Sequence, residues 1–283
     1  QAPSGLPHYY NLKSDYEVGA IDRHNYFGGG LHDSLLAKPG SGYFSTGLQQ
    51  VADRPFVLSE WIHVYPSLYS AEGPAVIAAY GMGLQGWDAS YEFQSGQIGN
   101  SFSDIAGNFP WGVWNADGPT QIGQYPALAR MIMRGDVQEG EIIGVRNVSP
   151  ENLAEGTFDF TDTIAQEGDV KRFTGNTPEE ALAAGRLVVR FTDEDVPSTF
   201  PDMSRYRDGQ IIVSSTRELT WDTSGKGFFT VNTQGTKAVV GFAEGRRLDL
   251  GGYTITLQCP YASIFLTSLE KGKDLSQTRS ALL

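Results

Sequence analysis

Apolar and polar positions change rhythm about half-way along this chain. In the first half, Phe56-Val57-Leu58-Ser59 runs apolar or small without alternation, then meets Glu60 and Trp61. Such a run predicts a short parallel strand covered on both faces, with a carboxylate delivered at its C-terminal end. Pro55 stands in front, where a strand tolerates the missing N–H. Upstream, Val18 to Phe27 predicts another strand, ending in His24, Asn25 and Tyr26 and broken by Gly28-Gly29-Gly30. Those glycines lack the strand–turn–helix frame of a phosphate loop. Residues 1–17 read as a loop or the remains of a helix, and residues 31–54 as a crossover with a short helix near 46–52. Downstream, Ser70 to Met82 predicts a helix with Ser70 as its cap and Glu72 at its positive end. Leu84 to Phe93 then predicts a third strand carrying Trp87 and Asp88. Gln121 to Arg134 predicts a helix with an apolar face of Ile122, Leu128, Ala129, Ile132 and Met133. Strand, crossover, strand, helix, strand is the order that yields a parallel sheet.

From Glu141 the pattern becomes short alternating segments with turn residues between them. Arg186 to Phe191, Glu218 to Asp222, Gly227 to Val231, Lys237 to Phe242 and Ala262 to Ser268 are examples. Regular short strands of this kind predict an antiparallel β-sandwich. The expected fold class is therefore α/β plus all-β, with domains at 1–137 and 138–283.

Composition narrows the chemistry. The 283 residues include 33 acidic and 21 basic side chains, a net charge of −12, which disfavours a broad phosphate-contacting surface and hence nucleic acid. No apolar run approaches a membrane span. A single cysteine, Cys259, sits in a strand-like context and reads as a buried, inert thiol, so no disulfide framework exists. That cysteine usage suits either cytoplasm or export. The start at Gln1 rather than Met reads as a processed chain or a fragment. His8, His24, His32 and His63 show no metal-ligand spacing, and neither a metal nor another cofactor is expected. Asp193, Glu194 and Asp195 read as solvated, and Trp221 as core.

Three predicted strand ends carry the candidate chemistry: His24 with Tyr26, Glu60 with Trp61, and Trp87 with Asp88. His24 and Tyr26 are two apart and share a strand face. A carboxylate beside a tyrosine hydroxyl, with indoles to stack on sugar faces, suits retaining glycoside hydrolysis. Taken in order, His24-Asn25-Tyr26, Ser59-Glu60-Trp61 and Gly86-Trp87-Asp88 resemble the sixth, seventh and eighth strands of a clan A glycoside hydrolase barrel of the cellulase type (family 5). The resemblance covers about residues 18–134. It implies the last three strands of a TIM-type barrel, with Glu60 as nucleophile, Tyr26 bonded to it, His24 lining the site and Trp87 beneath the sugar. Trp61, His63, Tyr65 and Asp88 would complete the substrate surface, and Trp111 and Trp114 are candidates for an aromatic clamp.

The family's acid/base glutamate lies on the fourth strand, typically after an asparagine, and no Asn-Glu pair occurs in this chain. Local substitutes are Asp22, Asp88, Glu92 and Glu72. The three strands would leave a sheet open unless preceding strands or a second protomer covered it, so a homo-oligomer is expected if this is the full chain. Two functions are compatible with these residues. One is a glycosidase acting on β-linked oligo- or polysaccharide; the other is a non-catalytic carbohydrate-binding or scaffold protein derived from one. A serine hydrolase of the nucleophile-elbow type is disfavoured, because no Gly-x-Ser-x-Gly occurs.

Overall fold

A computed structural model describes residues 6–64, 67–94, 114–167 and 170–283. Its first sheet has three strands in the order β1 (Ile21–Gly28), β2 (Phe56–Val64) and β3 (Ala89–Glu92), all parallel. A 3-10 helix, Gly42–Gln49, lies in the β1–β2 crossover. Between β2 and β3 runs a helix whose α-helical start, Glu72–Val76, continues as a π-helix over Ile77–Leu84. Every residue of the α-helical part is buried, and its small side chains let it approach the sheet closely. A Cβ on Gly73 would already stand 3.0 Å from the Cβ of His63.

The third strand differs from expectation. Residues 77–84 finish the helix, and β3 begins only at Ala89. Gln85 explains the switch. Its buried amide donates to the carbonyls of Leu182 and Gly185, both at 2.7 Å, while its own carbonyl accepts from the Gln50 amide at 3.0 Å. Gly86 then turns the chain at a φ of 65°. The 119–134 stretch is two helices, Pro119–Ile122 and Tyr125–Arg134. In the second, the buried stripe is Ala127, Leu128 and Met131, whereas Met133 is 86% exposed. The N-terminal stretch is a helix over Leu6–Val18, anchored by buried Tyr9 and Leu12.

Residues after 138 build four further units. β4 (Ile142–Val148) pairs in parallel with β7 (Arg186–Phe191). Between them, β5 (Thr163–Glu167) and β6 (Val170–Thr174) form a hairpin. The third and largest unit is an antiparallel sheet of seven strands. It contains β8 (Arg207–Asp208), β9 (Ile211–Val213), β10 (Leu219–Asp222), β11 (Phe228–Asn232), β12 (Thr236–Gly241), β15 (Ala262–Ser268) and β16 (Ala281–Leu282), in the order β16-β15-β12-β11-β10-β9-β8. The hairpin of β13 (Arg247–Asp249) and β14 (Thr254–Thr256) stands apart from it.

Each face of the seven-stranded sheet has its own cover. Leu219, Trp221, Phe229, Val231, Ala238 and Val240 join the core of the first half, where Tyr80 lies 4.9 Å from Trp221 and 5.3 Å from Phe229, ring to ring. Phe228 and Val239 face the opposite way, under Leu250 and Leu257 near the small hairpin. The fold is thus mixed α/β with one large antiparallel sheet. The described residues hold no eight-stranded barrel, and the expected sandwich has a helical layer where a second large sheet would stand. The hydrophobic core runs unbroken from Tyr9 to Phe265. Backbone bonds also cross the midpoint: Ala52 N–H donates to Val189 O at 2.9 Å, and Val189 N–H to Gln50 O at 2.8 Å. The Trp221 indole N–H donates to Leu36 O at 2.7 Å.

Two smaller expectations can be placed. Trp221 is fully buried, as predicted. Cys259 is exposed, against the expectation of burial, because it lies beyond β14 rather than within a strand. No helix among the described residues is long and apolar enough to cross a membrane.

Candidate active site

The site is built by an irregularity in β2. Arg23 of β1 stands opposite Leu58, but His24 stands opposite Glu60, so Ser59 is one residue too many. Such a bulge leaves the extra residue and its neighbour on the same side and re-aims the side chains beyond it. Phe56, Leu58, Trp61 and His63 consequently face the helices, while Ser59 and Glu60 both face the other side of the sheet. That other side is only partly covered. Trp114 and Ala116 pack over Tyr26, Ile62 and Val64 near the C-terminal strand ends, and the rest is open among the described residues.

On this open face the Tyr26 hydroxyl donates to Glu60 Oε1. Tyr26 is itself held firmly, 8% exposed, with Trp114 edge-on at 4.7 Å between ring centroids. The Asn25 amide, on the opposite face, ties β1 to Gly42 O at 2.8 Å and fixes the rotation of the strand. His24 reaches across to β2. Its Nδ1 lies 3.6 Å from Glu60 Oε2, and its Nε2 lies 2.9 Å from Ser59 Oγ and 4.0 Å from Asp22 Oδ2. The glutamate thus has one oxygen fixed by a phenol and the other facing an imidazole. It remains about a quarter exposed, so a ligand can reach it.

Only part of the predicted constellation gathers here. Glu60, Tyr26 and His24 come together. Trp61, expected against substrate, is 2% exposed on the helix-facing side, with its indole N–H on Ser90 Oγ at 2.7 Å and Tyr43 at 5.3 Å. His63 is fully buried between Phe27 and Tyr43. Trp87 lies under the helix, 5.0 Å from Phe56 and 5.8 Å from Phe44, and cannot floor a sugar site. Asp88 is at the other end of the strands, where it accepts from the Phe56 N–H at 2.9 Å. The physical reason is shared: the late start of β3 places Trp87 and Asp88 before the strand, and the bulge turns Trp61 and His63 inward. Tyr65 and Trp111 lie outside the described residues.

Of the four candidate second carboxyls, three are elsewhere. Glu72 is fully buried among Leu35 N–H at 2.6 Å, Ser34 Oγ at 2.7 Å and His63 Nδ1 at 3.9 Å. Burial outweighs those bonds and pushes its carboxyl up to about 8. Burial moves His63 the other way, down to about 4, so both are uncharged at neutral pH. Glu92 pairs in register with Trp61 and so shares its face, with its Oε2 accepting from Tyr125 at 2.5 Å. Its burial raises it to about 8 as well. Asp88 is at the wrong end. Asp22 alone shares the face of Glu60, with the His24 imidazole between them.

Two contributors have a different place from the one the sequence suggested. Ser59 appeared there only as part of the Ser59-Glu60-Trp61 run, with no role of its own, and Trp114 only as a partner of Trp111 in a loop clamp. No group of three His, Cys, Asp or Glu side chains able to hold a metal ion occurs among the described residues. No family model matches the sequence, and neither a curated protein nor a solved structure matches it.

Proposed function

We propose that this chain is a carbohydrate-active protein of the retaining glycoside hydrolase type, with Glu60 as its nucleophile. On this reading β1, β2 and β3 correspond to the last three strands of a β/α barrel, and their open face to its interior. The observation that carries the proposal is the Tyr26 hydroxyl on Glu60 Oε1, at the solvent-reachable side of parallel strands. The phenol orients one oxygen, leaving Oε2 to attack an anomeric carbon and form a glycosyl ester that water then hydrolyses. Trp114, half-buried beside Tyr26, offers an indole to a bound sugar.

Asp22 is the one candidate acid on the same face. Departure of a poor leaving group needs protonation, whereas a nitrophenolate needs little. The expected substrates are therefore aryl β-glycosides with good leaving groups, with natural linkages slower. Glu60→Gln should abolish their turnover in a protein that still folds. Unchanged turnover would remove Glu60 from the mechanism.

A second reading is a sugar-binding protein without turnover. It is favoured by the placement of Glu72, Glu92 and Asp88 away from Glu60. It predicts saturable binding of β-linked oligosaccharides with no product at high protein concentration. Under either reading, the open face is where a second protomer or further strands would pack. Light scattering that returns a monomer with an ordered sheet would remove the second-protomer version.

A further inference from the structure

Glycoside chemistry uses Glu60 and Tyr26 and leaves Ser59 without a task. Yet Ser59 Oγ stands 2.9 Å from His24 Nε2, and His24 Nδ1 faces Glu60 Oε2 at 3.6 Å. The order is hydroxyl, imidazole, carboxylate, with each nitrogen of the ring turned to a different partner. Acyl-transfer enzymes of unrelated folds use this arrangement, which is recognised by geometry rather than by sequence spacing. Two consecutive residues can supply both ends of the relay because the bulge puts Ser59 and Glu60 on one side of the strand. The imidazole is half exposed, so an ester can approach the hydroxyl from solvent.

We propose that Ser59, His24 and Glu60 form a serine-hydrolase relay that cleaves small carboxylic esters. Ser59 Oγ attacks the ester carbonyl carbon, and its proton passes to His24 Nε2. As the tetrahedral intermediate collapses, the bond from carbon to the alkoxide oxygen breaks, and the imidazolium returns that proton to the leaving alcohol. Water then attacks the acyl-Ser59, giving its proton to His24. Collapse releases the carboxylic acid and restores the serine hydroxyl with the same proton. Ser59 and His24 are the catalytic residues. Glu60 is a positioning residue, holding the proton on Nδ1 so that Nε2 can accept. The Nδ1 contact is ion-pair distance rather than a hydrogen bond, and such contacts tighten when substrate binds. The relay does not depend on the glycosidase reading, since Glu60 acts here through His24 and not on a sugar.

The test uses p-nitrophenyl acetate and butyrate as substrates and a fluorophosphonate as covalent probe, with peptide mapping by mass spectrometry. The probe should add once, on Ser59, and ester turnover should be saturable. Ser59→Ala and His24→Gln should each lower turnover by at least about 100-fold, in proteins whose thermal unfolding matches the parent. Glu60→Gln should lower it and shift the acidic limb of the pH–rate profile toward lower pH, with Glu60→Asp restoring part of both. Ser59 left unlabelled in the folded parent would overturn the relay. So would ester turnover that survives Ser59→Ala or His24→Gln undiminished, which would mark the hydrolysis as background.

Discussion

The two faces of the three-stranded sheet are made from the same strands and could hardly differ more. On the helix-facing side, Phe56, Leu58, Trp61 and His63 are packed and dry, and even the ionisable groups, His63 and Glu72, are driven to their uncharged forms. On the other side, Asp22, His24, Ser59 and Glu60 meet solvent, and Tyr91 is 62% exposed. One extra residue, Ser59, decides which side chains fall on which face. Residue type alone does not, because a tryptophan and a histidine lie within three positions of Glu60 yet serve the core. Burial turns polar groups into structural parts; access to water keeps them available for reaction.

The largest expected effect separates the faces by stability. Trp61→Ala removes a buried indole and should cost about 3–5 kcal/mol, read by urea denaturation. Glu60→Gln should cost at most about 1 kcal/mol, one modified hydrogen bond. Equal costs would mean that the supposedly open face is core.

Next comes the buried carboxyl. Folded Glu72 keeps its proton up to about pH 8, whereas an unfolded glutamate gives it up near 4.3. The native state therefore binds more protons across that window, and this residue makes stability fall as pH rises through it. His63 works in the opposite direction, because its folded value of about 4 lies below the unfolded one near 6.5, but only up to that pH. Above about pH 6.5 the Glu72 slope stands without that opposition, at up to about 1.4 kcal/mol per pH unit. The parent should lose urea stability between pH 6.5 and 8, and Glu72→Gln should lose distinctly less. Identical pH dependence would move the effect to another group.

Gly81→Ala should be milder, about 1–3 kcal/mol, since its Cβ would stand 2.7 Å from the Trp87 ring. A neutral result would show Trp87 to be loosely held and able to reach a ligand. Smallest is Cys259: it should react with a maleimide in the folded protein with no measurable change in melting temperature, because it is exposed. Protection from the reagent would restore the buried thiol that its strand-like context suggested.

Element types were largely legible, because periodicity survives in the sequence: three parallel strands, a helix between the last two, then mostly antiparallel strands, although Arg186 to Phe191, expected among the antiparallel strands, pairs in parallel with β4. Boundaries failed where tertiary partners override local pattern. Leu84 to Asp88 looks strand-like, but Gln85 is claimed by carbonyls about a hundred positions away in the chain. The grouping of Glu60, Tyr26 and His24 on one face was legible, because two adjacent parallel strands bring those positions together. Trp61, His63 and Trp87 were misplaced because side-chain direction depends on a bulge and on a strand start that residue spacing does not reveal. The continuous core across the midpoint rests on contacts such as Trp221 with Leu36, which are remote in sequence.

The central claim is that Glu60, presented on the open face by Tyr26 and His24, is a nucleophile toward sugars. Incubation with activated 2-deoxy-2-fluoro-β-glycosides of glucose, mannose and galactose, with intact-mass measurement and peptide mapping afterwards, tests it directly. One covalent glycosyl adduct on Glu60, absent from Glu60→Gln, is the predicted result. An adduct on another carboxylate, or none in folded protein that binds β-linked oligosaccharide, would contradict it.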